Sequence, residues 1–167
     1  MLTIEDKHIN LRGTTPNDRQ FLRELYGEVR EDELNATAWP QDFKDQFVNS
    51  QFEAQDSYYR KNYLGADFYI INFNNMPVGR LYYHEDYEGG IRIIDLAILK
   101  KNQKKGVGTT LMKSILKRAQ EINKHVTIHV ESFNPAMRWY KTLGFQFKSE
   151  TNGVYHLLEW KGNNSLN

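Results

Sequence analysis

The sequence has no cysteine, no long apolar run and almost no net charge. The absence of cysteine excludes disulfide bonds, thiolate nucleophiles and zinc or iron–sulfur sites built on thiolates. No segment approaches the ~20 consecutive apolar residues that cross a bilayer, and the N-terminal stretch lacks the apolar core of a signal peptide. The formal charge of +1 provides no long-range attraction to nucleic acid or to a membrane. We therefore expect a cytoplasmic protein with neither kind of partner.

The composition is sufficient for one folded domain. The chain has 167 residues, of which 40% are hydrophobic and 26% are charged, so that it can form a sizeable core beneath a hydrated surface. No internal repeat divides it. We assign residues 1–160 to a single domain and residues 161–167, which are mainly polar, to a C-terminal tail.

Hydrophobic periodicity predicts strands and helices in alternation. A short strand over residues 8–12 precedes two helices, one that begins after the polar cluster at residues 14–18 and one from about residue 40 to 59. A hairpin follows over residues 67–84, and the isoleucine-rich run 91–99 is typical of a strand buried on both faces. A helix, a strand, a second helix and two last strands complete an α/β sandwich with a mixed sheet.

The stretch NQKKGVGTTL, residues 102–111, places a basic glycine turn between the central strand and an amphipathic helix, whose apolar stripe begins with Val107, Leu111 and Ile115. The first N–H groups of a helix are unpaired and lie at the positive end of its dipole, so this turn is suited to a diphosphate. An ordinary helix start explains the same residues equally well. The spacing does not match a P-loop. Leu111 stands where a dinucleotide fold needs a small residue, but Glu131 is similar to the ribose-binding acid of that fold, so a dinucleotide site stays open.

Two segments together resemble the GNAT superfamily of N-acetyltransferases. ILKKNQKKGVGTTLM is similar to the family's Q/R-x-x-G-x-G/A turn, which cradles the diphosphate of coenzyme A, and HVESFNPAMRWYKTLGF is similar to the second half of its signature. The resemblance covers roughly residues 8–160, with Lys100 standing where many members carry proline. It implies a GNAT-like mixed, mostly antiparallel central sheet of about seven strands flanked by about four helices. It also implies acetyl-CoA as the co-substrate, without a metal.

The resemblance further implies which residues bind the acyl donor. Backbone groups of Ile98 would hold the pantetheine arm and polarise the acetyl carbonyl. Asn134 would contact the pantetheine near its sulfur end. The residues that would hold the diphosphate are Gln103, Lys104, Lys105, Gly106, Val107, Gly108 and Thr109.

Three residues are candidates for the proton transfers. Tyr140 lies where the family often has a general acid, which would protonate the departing thiolate; a helix-packing tyrosine is the alternative. His129 lies on the strand where some members place a catalytic glutamate, and an ordinary pKa of about 6.5 suits a base. The sequence is equally consistent with His129 as a half-exposed strand residue that has no catalytic role. Asp95 is the second candidate base. It interrupts an apolar strand, where a carboxylate is costly unless used or paired, with Arg80 or His84 as expected partners.

The acceptor region is the least constrained by the sequence. Glu28, Glu31, Asp32 and Glu33 precede Trp39, so this segment is either a site for a charged amine or, more plainly, a solvated acidic turn. The sequence favours an N-acetyltransferase that moves an acetyl group from acetyl-CoA to a primary amine of a small molecule, peptide or protein by direct attack. A CoA-binding module without turnover and a dinucleotide or nucleic-acid binder are the alternatives. The aromatic terminal strands are candidates for pairing in a homodimer.

Overall fold

A computed structural model describes residues 1–162 and contains one seven-stranded sheet in the order β1-β2-β3-β4-β5-β7-β6. Among these strands only β4 and β5 are parallel neighbours. The strands are β1 (Ile9–Gly13), β2 (Asp67–Phe73), β3 (Met76–Tyr87), β4 (Gly90–Ile98), β5 (Val126–Glu131), β6 (Gln146–Thr151) and β7 (Tyr155–Trp160). The helices are α1 (Arg19–Asn35), α2 (Gln41–Asn62), α3 (Val107–Glu121) and α4 (Met137–Thr142). The expected fold class is confirmed; the end of the predicted tail, residues 163–167, lies outside the described residues.

The helices cover the two faces of the sheet with different cores. α3 and α4 pack on one face over the largest cluster, which includes Leu111, Ile115 and Tyr140. α1 and α2 lie on the other face over smaller clusters that contain Phe52 and Tyr82. The apolar stripe predicted for α3 is the stripe that it buries. In residues 1–162 no helix combines the length and the apolar character of a membrane span.

β4 carries an irregularity that its sequence explains. Tyr82 of β3 pairs with Asp95, but Tyr83 pairs with Ile93, so Ile94 is an extra residue. A bulge of this kind lets consecutive side chains share one face. Here Ile94 packs with Tyr82 while Asp95 bonds to a side chain of α2. Strict alternation from Ile93 would instead bury the Asp95 carboxylate in the main core, where an unpaired charge is costly.

β4 and β5 separate near this bulge. The strands pair only from Ile91 to Ile93 of β4, opposite Val126 to Ile128 of β5. Beyond this point β4 stays paired with β3, whereas β5 stays paired with β7. The divergence opens a cleft in the sheet at the C-terminal ends of both strands, beside the first turn of α3.

Candidate functional site

The loop between β4 and α3 has the geometry of an anion site. Gly106 caps the helix with a φ of 85°, in the left-handed region that favours glycine, and Lys104 has a φ of 62°. The N–H of Thr110 is the first to bond in the helix, to Gly106 O at 2.9 Å. In residues 1–162 no group accepts a hydrogen bond from the backbone N–H groups of residues 104–109. These groups, with the exposed Lys104 and Lys105, are suited to bind a diphosphate.

Gly108 allows this turn to lie against the end of β4. A Cβ at this position would lie 3.4 Å from Ile98 Cδ1 and 4.0 Å from the Trp139 ring, so a large side chain must displace one of them. Gln103 joins the same elements, because its Nε2 donates to Ile98 O at 2.9 Å. The predicted donor-binding residues Gln103, Lys104, Lys105, Gly106, Val107, Gly108 and Thr109 thus form one continuous loop and first helical turn beside the cleft.

The last residues of β4 have no neighbouring strand on the cleft side, where the only partner of their backbone among the described residues is the Gln103 side chain at Ile98 O. Leu99 N–H donates to Val78 O of β3 at 2.8 Å, and Ala97 also pairs with β3. Backbone groups alternate in direction along a strand, so those of Leu96 and Ile98 point to the side that β5 has left. An extended ligand along this edge would replace the missing strand.

Tyr140 lies on α4 at the border of the main core. Its ring centroid is 5.2 Å from that of Trp139 and 5.9 Å from that of Phe145. Only 5% of the residue is exposed, but its hydroxyl oxygen is not completely buried. This hydroxyl bonds to no described residue. Burial, followed by the negative charge of Asp95, raises the pKa of Tyr140 to about 12. The phenol is therefore protonated at neutral pH and available as a proton donor.

His129 is exposed on β5, on the face of the sheet that carries α1 and α2. It lies two residues beyond Thr127, whose hydroxyl accepts a hydrogen bond from Arg92 Nε at 2.8 Å on this face. Partial desolvation, followed by the positive charge of Arg92, lowers the pKa of His129 below its ordinary value. The imidazole is therefore neutral near pH 7 and able to accept a proton.

Asp95 is held in a buried ion pair. Its Oδ2 accepts hydrogen bonds from Arg80 Nη2 at 2.7 Å and from the Tyr59 hydroxyl at 3.2 Å. Only 4% of the Arg80 side chain and 16% of the Asp95 side chain are exposed. Of the two partners that the sequence suggested for Asp95, the structure shows Arg80 and not His84. Both hydrogen bonds end on the same oxygen, so Asp95 is engaged in a contact between β3, β4 and α2.

Asn134 begins the turn from β5 into α4. Its Oδ1 accepts a hydrogen bond from Ala136 N–H at 2.8 Å, and its backbone O accepts one from Met137 N–H at 3.0 Å. The side-chain N–H groups of Asn134 have no partner in the described part of the chain. This residue therefore shapes the turn through its oxygen and leaves its amide nitrogen for the ligand contact that the family resemblance implies.

The acidic residues of α1 do not form a free amine-binding cluster. Lys100 Nζ lies 2.9 Å from Glu31 Oε2 and 3.6 Å from Asp32 Oδ1. The Glu28 carboxylate accepts a hydrogen bond from the backbone N–H of Lys100. Lys100 thus connects the end of β4 to α1. Sequence showed the lysine and the acids, but nothing in it indicated that they meet.

Arg30 makes a second connection, between α1 and β5. Its Nη1 lies 3.0 Å from Glu33 Oε1 and 3.1 Å from Glu131 Oε1, and its guanidinium lies over the Tyr26 ring at 5.4 Å. Glu131 is therefore paired within the protein, which weakens its likeness to a ribose-binding acid. The predominantly antiparallel sheet also differs from the open parallel sheet of dinucleotide folds.

Trp39 lies in the short connection between α1 and α2. Its ring packs edge-on against Phe43, with centroids 4.8 Å apart, and against Phe47 at 5.3 Å. The tryptophan is 38% exposed, so it forms an accessible aromatic cluster at the start of α2.

Within residues 1–162 no group of three or more His, Asp or Glu side chains is arranged to hold a metal ion.

Comparisons with solved structures agree with this fold. PaiA N-acetyltransferase from Thermoplasma acidophilum, in complex with coenzyme A, is 14% identical with a TM-score of 0.67 over 92% of this chain and 98% of its own. Arabidopsis thaliana Naa50, in complex with the bisubstrate analogue CoA-Ac-MVNAL, is 18% identical with a TM-score of 0.55 over 91% and 97%. A GNAT family acetyltransferase from Elizabethkingia anophelis with acetyl-CoA bound is 15% identical with a TM-score of 0.54 over 93% and 99%. At these identities the likeness concerns the fold alone.

The sequence itself identifies the family. No curated protein matches it. The model of the acetyltransferase (GNAT) family, however, matches residues 24–145, a segment that contains both the glycine turn and the Asn134 to Tyr140 segment. This match covers well over half of the chain and spans the cleft described above. The protein therefore belongs to the acetyltransferase (GNAT) family.

Proposed function

We propose that this protein transfers an acetyl group from acetyl-CoA to a primary amine. The observation that carries the proposal is the edge of β4 beyond Ile93, which has no neighbouring strand on the β5 side and ends beside the free N–H groups of the α3 turn. A diphosphate at residues 104–109 and a pantetheine arm along Leu96 and Ile98 would follow one continuous path. The coenzyme A and acetyl-CoA bound in two structures of similar fold support the same donor.

In the proposed reaction the amine nitrogen attacks the carbonyl carbon of the thioester. The negative charge that develops on the carbonyl oxygen accepts a hydrogen bond from the backbone N–H of Leu96 or Ile98. The tetrahedral intermediate then breaks its carbon–sulfur bond, and Tyr140 gives a proton to the departing thiolate. The products are an amide and free CoA, and solvent restores the proton to Tyr140. The high pKa of Tyr140, about 12, keeps it in the acid form that this step needs.

The acceptor amine must lose a proton before or during attack. His129 is the proposed acceptor of that proton, directly or through water, because its ring is exposed at the cleft and neutral near pH 7. Asp95, the second candidate base from the sequence, is already bound by Arg80. Naa50 was solved with an analogue that carries the peptide MVNAL, which supports peptide amines as one acceptor class.

An amine-library screen that follows the release of free thiol tests this function. We expect release that requires both acetyl-CoA and a primary amine, together with a rise in the unfolding temperature when CoA is added. Stabilisation by CoA without thiol release from any amine would instead identify a binding module without turnover. Binding of NAD or of an oligonucleotide with no response to CoA would identify a nucleotide or nucleic-acid binder. Either of the last two results overturns the proposal.

A further inference from the structure

We propose that Asp95, through its buried ion pair with Arg80, fixes the bulge of β4 and thereby positions the backbone groups that bind the acyl donor. Asp95 is in this view a positioning residue and not the base. The inference rests on the acetyl-CoA-dependent function proposed above. It names the residues that this chain uses to shape the donor edge, and it explains why a carboxylate lies in an otherwise apolar strand.

The first step of the inference concerns the side chains of β4. Ile91 and Ile93 lie in the main core before the bulge, and Leu96 and Ile98 pack against the same core after it. An odd number of steps separates the two pairs, so strict alternation cannot place both on one face. Without the extra residue, Asp95 would enter the core while Leu96 and Ile98 left it. The carboxylate therefore selects the bulged arrangement, because only this arrangement brings it to a cation.

The second step concerns the backbone. With the bulge, Ala97 and Leu99 direct their N–H and C=O groups to β3, and Leu96 and Ile98 direct theirs to the cleft. A shift of one residue reverses these directions. Leu96 would then bond to β3, and the backbone of Asp95 and Ala97 would face the cleft in place of the present pair. The position of the bulge thus decides which N–H groups meet the thioester.

The third step concerns the network that holds the bulge. Arg80 Nη2 donates to Gln55 Oε1 of α2 at 2.7 Å as well as to Asp95 Oδ2 at the same distance. The guanidinium lies 4.8 Å from the centroid of the Tyr82 ring, and Tyr59 of α2 donates to Asp95. A buried ion pair generally adds little stability over apolar side chains of similar size. The role of this pair is therefore best explained by the strand conformation that it specifies.

The network also lies next to the reacting centre. The last pair of residues between β4 and β5 involves Ile93, two positions before Asp95. The charged and titratable groups around Asp95 are Arg80 and Tyr82 from β3 and Tyr59 from α2. Tyr140 belongs to the core on the other face of the sheet, and the charge of Asp95 contributes to the raised pKa of its phenol.

The decisive test replaces both charges with apolar side chains, in the double variant Arg80→Met/Asp95→Leu. Removing the pair together avoids an unpaired buried charge, so we expect this variant to fold and to unfold within a few degrees of the wild type. Calorimetric titration with CoA, without amine, should show a Kd at least ~10-fold higher than that of the wild type. Hydrogen exchange without ligand should show slower exchange of the Leu96 and Ile98 amides, because they now bond to β3.

The inference is wrong if the double variant binds CoA with wild-type affinity and if its Leu96 and Ile98 amides exchange hydrogen as fast as those of the wild type. A wild type that does not bind CoA would overturn the proposed function, whereas the exchange of the Leu96 and Ile98 amides would still report whether the ion pair fixes the bulge. The two failures are therefore distinguishable.

A second experiment separates positioning from base catalysis. Asp95→Asn is compared with Asp56→Asn, because the side chain of Asp56 on α2 is also only 10% exposed and pairs with two arginines, Arg19 of α1 and Arg60 of α2. We expect Asp95→Asn to weaken CoA binding several-fold, while kcat/KM still declines at low pH along the acidic limb of its pH profile. Asp56→Asn should leave CoA binding unchanged. If Asp95→Asn keeps full CoA affinity and abolishes the acidic limb, Asp95 is the base and the inference is wrong.

Discussion

The proposed donor edge and the proposed acceptor region of this protein are built from different parts. The donor edge consists of the β4 backbone from Leu96 to Ile98 and the N–H groups of residues 104–109, whose directions follow from strand pairing and helix geometry. The acceptor region, between α1, α2 and β5, consists mainly of long side chains such as those of Arg30 and Lys100. The proposed donor contacts therefore use groups that every residue carries, whereas the proposed acceptor contacts use side chains that a single substitution can change.

The two regions also differ in burial. Leu111 and Met112 are fully buried and pack α3 against the sheet, next to the turn proposed to bind the diphosphate. On the acceptor side, half of the Lys100 side chain and half of the Glu31 side chain are exposed. An exposed pair of this kind contributes little to stability, because solvent screens it. The acceptor region is thus easier to change by substitution than the donor edge, and the following experiments test that contrast.

The largest effect is expected for Gly108→Trp. The added side chain meets Ile98 and Trp139 at the point where the diphosphate turn touches β4, so CoA affinity should fall at least ~100-fold, which corresponds to roughly 3 kcal/mol of binding free energy. Calorimetric titration with CoA measures the change. Gly13→Trp is the matched control, because no atom lies within 4 Å of a Cβ built there. Unchanged CoA affinity in Gly108→Trp would mean that the diphosphate lies elsewhere.

Tyr140→Phe should have the next largest effect. It removes the proposed proton donor and retains the aromatic contacts with Trp139 and Phe145, so kcat should fall by ~10²-fold or more while CoA affinity stays the same. In the wild type, kcat should not decline on the alkaline side until the pH approaches the Tyr140 pKa of about 12. Tyr155→Phe, at an exposed position on β7, is the control. Full kcat in Tyr140→Phe at every pH would leave this residue with a packing role only.

His129→Gln tests the acceptor side through its pH dependence. The neutral imidazole is the active form, so activity should be lost as the pH falls through the His129 pKa, which lies below its ordinary value. In His129→Gln we expect kcat/KM for the amine at pH 7 to fall ~10-fold and this acidic limb to disappear. His156→Gln, on the neighbouring strand and the other face of the sheet, should retain the limb. An unchanged profile in His129→Gln would assign the base to another group or to water.

The smallest effect is expected for Trp39→Ala. Its ring packs with Phe43 and Phe47 at an accessible surface, so its loss should alter KM for the amine by ~3-fold, or ~0.7 kcal/mol, and leave KM for acetyl-CoA unchanged. Steady-state kinetics with each substrate varied in turn measures both constants. A larger change in KM for acetyl-CoA than in KM for the amine would break the proposed separation of the two regions.

Sequence reasoning was most successful where the signal is local. The apolar run from Ile91 to Leu99 identified the central strand, and the spacing of Val107, Leu111 and Ile115 identified the buried face of α3. The position of Asp95 in an apolar run also indicated a partner, and Arg80 is that partner. The acids of α1 were harder to interpret, because their pairing with Lys100 joins residues about seventy positions apart and leaves no local pattern.

The sequence by itself determined that a basic glycine turn follows a central strand and opens a helix, and the resemblance to the GNAT family predicts that this turn binds CoA. These features depend on neighbouring residues, because the unpaired N–H groups of a helix start and the φ angles open to glycine are properties of a short segment. Only the tertiary structure decided that β4 and β5 diverge after Ile93, that Asp95 meets Arg80 and that Lys100 binds α1. Each of these depends on how distant segments pack, since register and ion pairing are settled between elements and not within them.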